Sequence, residues 1–496
     1  MARPVLETLK ALLEARGLEA RLVGGAVRDR LAGREPYDFD VVVVGPALRL
    51  ARELADRVGG SFYVLDARRE FGRVVWIDPG GRRFYVDLTR REGEGWEADL
   101  RHRDFTINAM MVDLGTFLAQ ETFAPEDPLG GLEDLRARRL RLCAPDAFRR
   151  DPVRLLRAVR FEAAFELEMT PETERALRED LPALLSAAPE RLREELAKIL
   201  EIPPVVRTLR RMASLGLLEA LLPEVAALRG VTQGPPHIWD VYEHTLRVVA
   251  ALERLMGATV ETPEIRDLPR LAEAEAALAP WRERLAARWA EEVVVGRPRR
   301  ILLLLAALFH DIGKPETRTV AADGRVRFIG HERLGAERTA ERLRALRFSN
   351  DEVEEVALLV RDHMRPHGLA RGPLSPRAIY RFFREVGAAG VDLALLALAD
   401  TLGVWGSTLS EAVWEPRLQV ARTLWAAFFE APERFVRPPP LVRGEDLLAL
   451  GVPEGPRIGQ ILEAIREAQA AGEVTTREDA LALARRLMEE SEASGL

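Results

Sequence analysis

The sequence predicts a multidomain chain: an α/β head on a mixed sheet, then an all-α neck, an all-α histidine-bearing domain and a helical tail. Three observations predict it. Helix and strand patterns alternate over the first 115 residues or so, and after Arg136 strand signals almost vanish. Six of the seven histidines, all but His102, lie between Gly234 and Leu409. The length of 496 residues is enough for three or four domains. We divide it at residues 1–130, 131–225, 226–430 and 431–496.

The head elements follow in order. Val5–Arg16 is an amphipathic helix, Arg21–Val23 a short strand, and Gly24-Gly25 a turn into a helix over Ala26–Leu31. Asp38–Val44 is a strong strand, Leu48–Val58 a helix and Ser61–Leu65 a strand. Gly72–Ile77 and Arg83–Thr89 form a hairpin around Pro79-Gly80-Gly81. Residues 255–300 form a polar, Ala/Glu/Arg-rich helical stretch that resembles an insertion, and Arg437-Pro-Pro-Pro-Leu441 opens the tail.

Composition excludes several classes. With 72 basic and 79 acidic residues the net charge is −7, so any nucleic-acid surface must be local. One cysteine, Cys143, excludes an intramolecular disulfide framework and a Cys-rich zinc site. The longest aliphatic run, Ile301–Phe309, is too short to span a bilayer, which takes about 20 residues. The N-terminus lacks a signal-peptide pattern. These features lead us to expect a soluble, cytoplasmic protein without a membrane partner.

Asp38 and Asp40 stand two apart at the start of an apolar strand, so their carboxylates emerge on one face. Paired carboxylates suit Mg²⁺, which takes one or two of them plus substrate phosphates. Fourteen residues before Asp38, Gly24-Gly25 opens a helix whose N–H groups suit an anion, and Arg28 one turn on can fork onto phosphate oxygens. The combination describes a nucleoside triphosphate beside two metal ions. Asp87, on the strand Phe84–Leu88, is either a third catalytic carboxylate or a solvated edge residue.

Leu22-Val-Gly-Gly-Ala-Val-Arg-Asp29 with Asp38-Phe-Asp40 resembles the signature of the class II tRNA nucleotidyltransferases and bacterial poly(A) polymerases, which share a DNA polymerase beta-like head. Arg101-His-Arg-Asp-Phe-Thr-Ile-Asn-Ala-Met110 and Asp151-Pro-Val-Arg-Leu-Leu-Arg-Ala-Val-Arg-Phe161 are similar to two further blocks of that family, in the same order. The resemblance implies template-independent addition of C, as CC or CCA, from CTP and ATP to the 3′ end of tRNA. It implies that Asp151 and Arg154 mimic Watson–Crick partners of the incoming base. Arg103, Asp104, Asn108, Arg157 and Arg160 would line the nucleotide pocket, with His102 at most an RNA- or phosphate-side contact.

Asp151, Arg154, Arg157 and Arg160 recur every third residue, which we read as one helix face. From Arg136 to Arg160 there are nine arginines against two acids, too one-sided for an ordinary surface helix. The family usually has an acid directly before this Asp, whereas Arg150 stands here, so an ion pair holding Arg154 is lost or supplied elsewhere. Glu190-Arg-Leu-Arg-Glu-Glu-Leu196 resembles the following neck helix. tRNA would be held electrostatically by this Arg-rich neck and the arm-like tail.

Between Arg90 and Arg103 lie only twelve residues, Arg91–His102. Family members that complete CCA carry a longer flexible loop here, so the short form resembles the CC-adding enzymes.

His244, His310-Asp311, His331, His363 and Asp400 follow the order of the HD phosphohydrolase superfamily, with Phe309-His-Asp-Ile-Gly-Lys-Pro315 as its signature. His244, His310, Asp311 and Asp400 are the expected ligands, with His331 and His363 as further candidates. Mixed imidazole and carboxylate donors suit a divalent transition metal (Mn, Ni, Fe or similar) better than Mg²⁺ alone. Such a domain would hydrolyse phosphate ends, and we assign His237 and His367 to the surface. Two alternatives remain: a poly(A) polymerase, which would carry a longer loop and a basic tail, and an HD phosphohydrolase with a nucleotide-binding head.

Overall fold

The computed structural model describes residues 2–493 except 260, 267, 269, 406 and 407. The chain packs as two compact units: residues up to Arg191 with Leu215–Ala220, and Leu192–Ser214 with residues from Leu221 on.

The first unit is built on six strands: β1 (Ala20–Val23), β2 (Asp38–Val43), β3 (Ser61–Asp66), β4 (Phe71–Ile77), β5 (Arg83–Arg90) and β6 (Met111–Val112). Their order is β3-β4-β5-β2-β1-β6, and only β2 and β5 run parallel, so the sheet is mixed. β2 lies inside the sheet because its apolar run is buried on both faces. Phe39, Val41 and Val43 join the main core with the helices Arg3–Ala15 and Ala47–Val58. Val42 joins a smaller cluster on the other face with Val23, Leu100, Met111 and Cys143. Asp38 and Asp40 share that second face by the two-residue strand period.

Two short features escape the sequence pattern. β6 closes the sheet beside β1, and Arg139–Leu140 pairs in parallel with Glu168–Met169 inside the stretch read as helical. Two residues are too few to display an alternation. The basic helix starts at Arg154 and runs to Phe165, so Asp151 lies outside it, with extended backbone. Pro152 explains the difference, because the residue before proline is pushed out of the helical region.

The second unit is helical, centred on Arg299–Phe309, whose residues from Ile301 onward are all buried. Two hairpins interrupt the predicted helices: Glu292–Val294 with Arg297–Pro298, and Arg318–Val320 with Val326–Phe328. The stretch Pro376–Trp405 is long and apolar enough to cross a membrane by composition, a length the aliphatic-run count missed. However, 83% of its most apolar window is buried inside the protein. The tail has a small core of its own around Leu447, Ile461 and Ala480. Its acids face arginines of the helix Pro376–Val386: Arg384–Glu463 and Arg381–Glu467 at 2.5 Å, and Arg377–Glu473 at 2.6 Å.

Candidate functional sites

In the first unit, sheet register positions the carboxylates. Asp40 is the direct partner of Asp87 across the parallel β2/β5 pair and of Val23 across β2/β1. The chain then turns at Gly24, at φ +74, where a side chain would be strained and would also meet neighbours. A Cβ there would lie 2.8 Å from Asp40 Oδ2 and 3.1 Å from Arg103 Nη1. Gly24 is therefore the floor on which Asp40 and Arg103 meet. Burial pushes the Asp40 carboxyl up to about 6, with Arg103 opposing and the Asp87 and Asp38 charges adding to the rise.

Asp87 is not a solvated edge residue. It is 8% exposed, and Arg73, its cross-strand partner on β4, forks onto it at 2.8 and 2.7 Å. Arg28 is engaged by protein groups. Its guanidinium forks onto Asp29 Oδ1 at 2.9 and 2.7 Å, donates to Asn108 Oδ1 and lies 4.2 Å from the centre of the Phe165 ring.

Asn108 Nδ2 in turn donates to Asp104 Oδ1 at 3.0 Å, and Arg157 Nε donates to Asp104 Oδ2 at 2.8 Å. Burial alone would raise the Asp104 carboxyl, but Arg157, Asn108 and the Phe105 amide hold it below the usual carboxylate range. Arg160 packs over Phe161.

Arg154 is held by backbone rather than by an acid. It donates to the carbonyls of His102 at 2.8 Å, Ala147 at 3.2 Å and Arg103 at 3.3 Å. Arg150 pairs with Asp146 at 2.9 Å and reaches His102 Nδ1 at 3.0 Å. Both Asp151 oxygens accept from Arg191 at 2.8 Å. Asp151, Arg154, Arg191, Arg103 and His102 line a cavity of about 730 Å³. The short connection beside it is tied down. Trp96 Nε1 donates to Glu19 at 2.9 Å, Arg21 and Arg91 lie against the Trp96 ring, Glu92 N donates to Asp99 at 2.9 Å, and Leu100 is fully buried.

In the second unit, helix ends position the donors. His310 and His363 cap the C-termini of Arg299–Phe309 and Asn350–Asp362, and His331 opens His331–Ala345. His244 and Asp400 project from Val241–Leu255 and Gly390–Trp405. Each helix-end histidine directs Nδ1 at the carbonyl three residues earlier: Ala307 at 2.8 Å, Phe328 at 2.8 Å and Val360 at 2.6 Å. The carbonyls are satisfied and Nε2 is left to ligate. His244 Nε2 lies 3.2 Å from His310 Nε2, 3.1 Å from Asp400 Oδ1 and 3.5 Å from Asp311 Oδ2. Asp311 Oδ1 faces His331 Nε2 at 3.4 Å.

Two triads of converging donors result, His244–His310–Asp400 and Asp311–His331–His363. Buried His331 Nε2 has no hydrogen-bond partner among the described residues, which is what a ligand nitrogen facing a cation would show. The set therefore fits a divalent metal. Burial pushes the His363 imidazole down to about 3, so it is held neutral. Gly313 permits the approach, because a Cβ there would lie 2.2 Å from the His331 carbonyl oxygen.

His367 and His237, expected on the surface, instead face the histidine cluster. His367 Nε2 is 2.8 Å from Asp400 Oδ2, with its side chain 11% exposed, and His237 stacks on His244 at 5.9 Å. Both line a cavity of about 510 Å³ beside the histidines, together with Lys314 and Arg417. Sequence reasoning also missed Lys314, 2.6 Å from Asp311 Oδ2, as well as Arg73 and Arg191. Arg73 is recoverable by counting register back from Asp87 through the Pro79-Gly80-Gly81 turn, and Lys314 and Arg191 stand inside the Phe309–Pro315 and Glu190–Leu196 blocks.

Three family models match the chain: the poly A polymerase head domain over residues 20–141, the probable RNA and SrmB-binding site of polymerase A over 166–228, and the HD domain over 282–402. The A-adding tRNA nucleotidyltransferase of Deinococcus radiodurans is 36% identical, covering 96% of this chain and 97% of its own. The CC-adding tRNA nucleotidyltransferase of Thermus thermophilus is also 36% identical, over 93% and 92%. A solved complex of a CCA-adding enzyme with CTP shares the fold at TM-score 0.59 and 21% identity, over 99% of this chain and 94% of that one. With 36% identity along nearly its whole length, the chain belongs to the tRNA nucleotidyltransferase family, and it carries an HD domain.

Proposed function

We propose that the chain adds cytidines from CTP to the 3′ end of tRNA without a nucleic-acid template and stops before A. The observation that carries this reading is the pinned connection Arg91–His102. With Trp96 and Leu100 packed down, it has no free length to re-aim Arg154 from one base to the other. A second reading, addition of A alone, draws on the equally similar relative named for that activity. Extension of tRNAs ending before the first C, after C and after CC, with CTP, ATP or both, distinguishes them. We expect two cytidines and no adenosine; adenosine on the CC-ended tRNA with no cytidine on the shorter ones would replace this reading by the second, and both additions together would mean completion of CCA.

In this reading Asp38 and Asp40 hold Mg²⁺, which supplies the charge that activates the terminal hydroxyl and steadies the departing pyrophosphate. Asp87, clasped by Arg73, adds a third negative charge beside Asp40. Gly24, Gly25 and Arg103 face the triphosphate. Asp151 accepts from the exocyclic amine of the base and Arg154 donates to its ring edge. Asp104, Asn108, Arg28 and Arg157 form the hydrogen-bonded support beneath, with Arg160 beside it.

In the second unit His244, His310, Asp311, His331, His363 and Asp400 would hold a divalent transition metal or Mg²⁺, which supplies an activated water for phosphoester hydrolysis. The adjoining cavity, with Lys314 and Arg417 on its wall, is suited to a phosphate end. We assign the work to the cytoplasm, where tRNA is the substrate.

A further inference from the structure

We infer that Arg191 is the positioning residue that sets base choice, by holding the Asp151 carboxylate in its reading orientation. The inference rests on the reading of Asp151 as a base-reading group. Asp151 sits on extended backbone between two helices, so no helical neighbour fixes its rotamer. Its own Arg154 is distant for an ion pair, at 3.7 Å, and is occupied by three carbonyls. Arg150, which stands where an acid is usual, turns to Asp146, His102 and the Arg101 carbonyl.

The fork from Arg191 is what remains, two parallel hydrogen bonds of 2.8 Å that fix both the position and the plane of the carboxylate. Each carboxylate oxygen keeps a lone pair, so Asp151 can still accept from the amine of cytosine. A freely rotating carboxylate would swing aside for the O4 carbonyl of uracil as readily as it accepts from the N4 amine of cytosine. The Arg191 side chain is 55% exposed, so its contribution to packing is small.

The test compares kcat/KM for CTP, UTP and ATP on one tRNA for the wild type, Arg191→Met, Arg191→Lys and Asp151→Ala, together with Tm and tRNA affinity. We expect Arg191→Met to lower the preference for CTP over UTP by about tenfold or more, the scale of one bidentate contact. Tm should stay near wild type, and tRNA affinity should fall by no more than one exposed charge accounts for and equally with every nucleotide. Arg191→Lys keeps the charge but loses the fork, and should fall between the two. Unchanged selectivity in both Arg191 variants, whatever happens to Tm, overturns the inference. If Asp151→Ala also leaves selectivity unchanged, the base-reading assignment itself fails; if only Asp151→Ala blurs it, the role of Arg191 alone is refuted.

Discussion

The two candidate centres gather their metal-binding groups by opposite means. In the first unit, strand register does the work: Asp38, Asp40 and Asp87 come together because β2 and β5 run parallel and in step, and arginines flank them. In the second unit, helix termini do the work: each of three histidines at a helix end directs Nδ1 at the carbonyl three residues earlier and turns Nε2 inward. The strand site offers oxygen ligands to a hard cation; the helix-end site offers nitrogen with oxygen to a borderline one. The two units also differ in how they treat a buried acid. Asp104 is held ionised by Arg157, whereas Glu253 in the second unit has, among the described residues, the Val205 amide, which reaches both of its oxygens at 3.1 Å.

The largest expected effect falls on the strand site. Asp40→Ala should reduce nucleotide addition about 10³-fold or more, the several kcal/mol a bound cation supplies, while filter binding finds tRNA affinity near wild type. Retained turnover would remove Asp40 from the metal site.

The contrast between buried acids gives the next effect. Burial pushes the Glu253 carboxyl up to about 7, so the folded state keeps a proton that the unfolded chain releases near 4.5. The folded state binds more protons across that window, so stability falls as pH rises from 4.5 to 7. Glu253→Gln should remove the decline, gaining about 3 kcal/mol at most at pH 8 and little at pH 4, as read by denaturant melts. An equal gain at both pH values would contradict the assignment.

Smaller again, Arg154→Ala should cost about 1–3 kcal/mol of discrimination between CTP and UTP while affinity for the triphosphate is largely kept, measured by competition kinetics. The smallest belongs to the exposed tail pairs. Arg381→Ala should shift stability by less than about 1 kcal/mol, and less still at high salt.

Much of both centres is legible in the sequence, for identifiable reasons. Asp38 and Asp40 declare themselves because a period of two at the head of an apolar strand fixes their face. His310-Asp311 does so because adjacent donors follow a fully apolar helix. Gly24 is legible as a turn, though that its missing side chain makes room for Asp40 is a three-dimensional fact. The three-residue spacing places Asp151 on the helix, but Pro152 keeps it outside. That Arg28 meets Asp29, Asn108 and Phe165 is not legible, because Asn108 and Phe165 come from distant segments. His237 and His367 looked superficial because burial depends on which helices cover them. Arg191 lies 40 residues from Asp151, and no local period links them.

We propose that the strand site and the helix-end site are metal-dependent and work independently. The direct test measures cytidine addition, phosphatase activity and transition-metal content on the same preparations of wild type, Asp40→Ala and His310→Ala. The account predicts that Asp40→Ala loses addition but keeps bound transition metal and phosphatase activity, and that His310→Ala loses both of the latter but keeps addition. Loss of both activities in a folded single variant, or transition metal retained in full by His310→Ala, would contradict it.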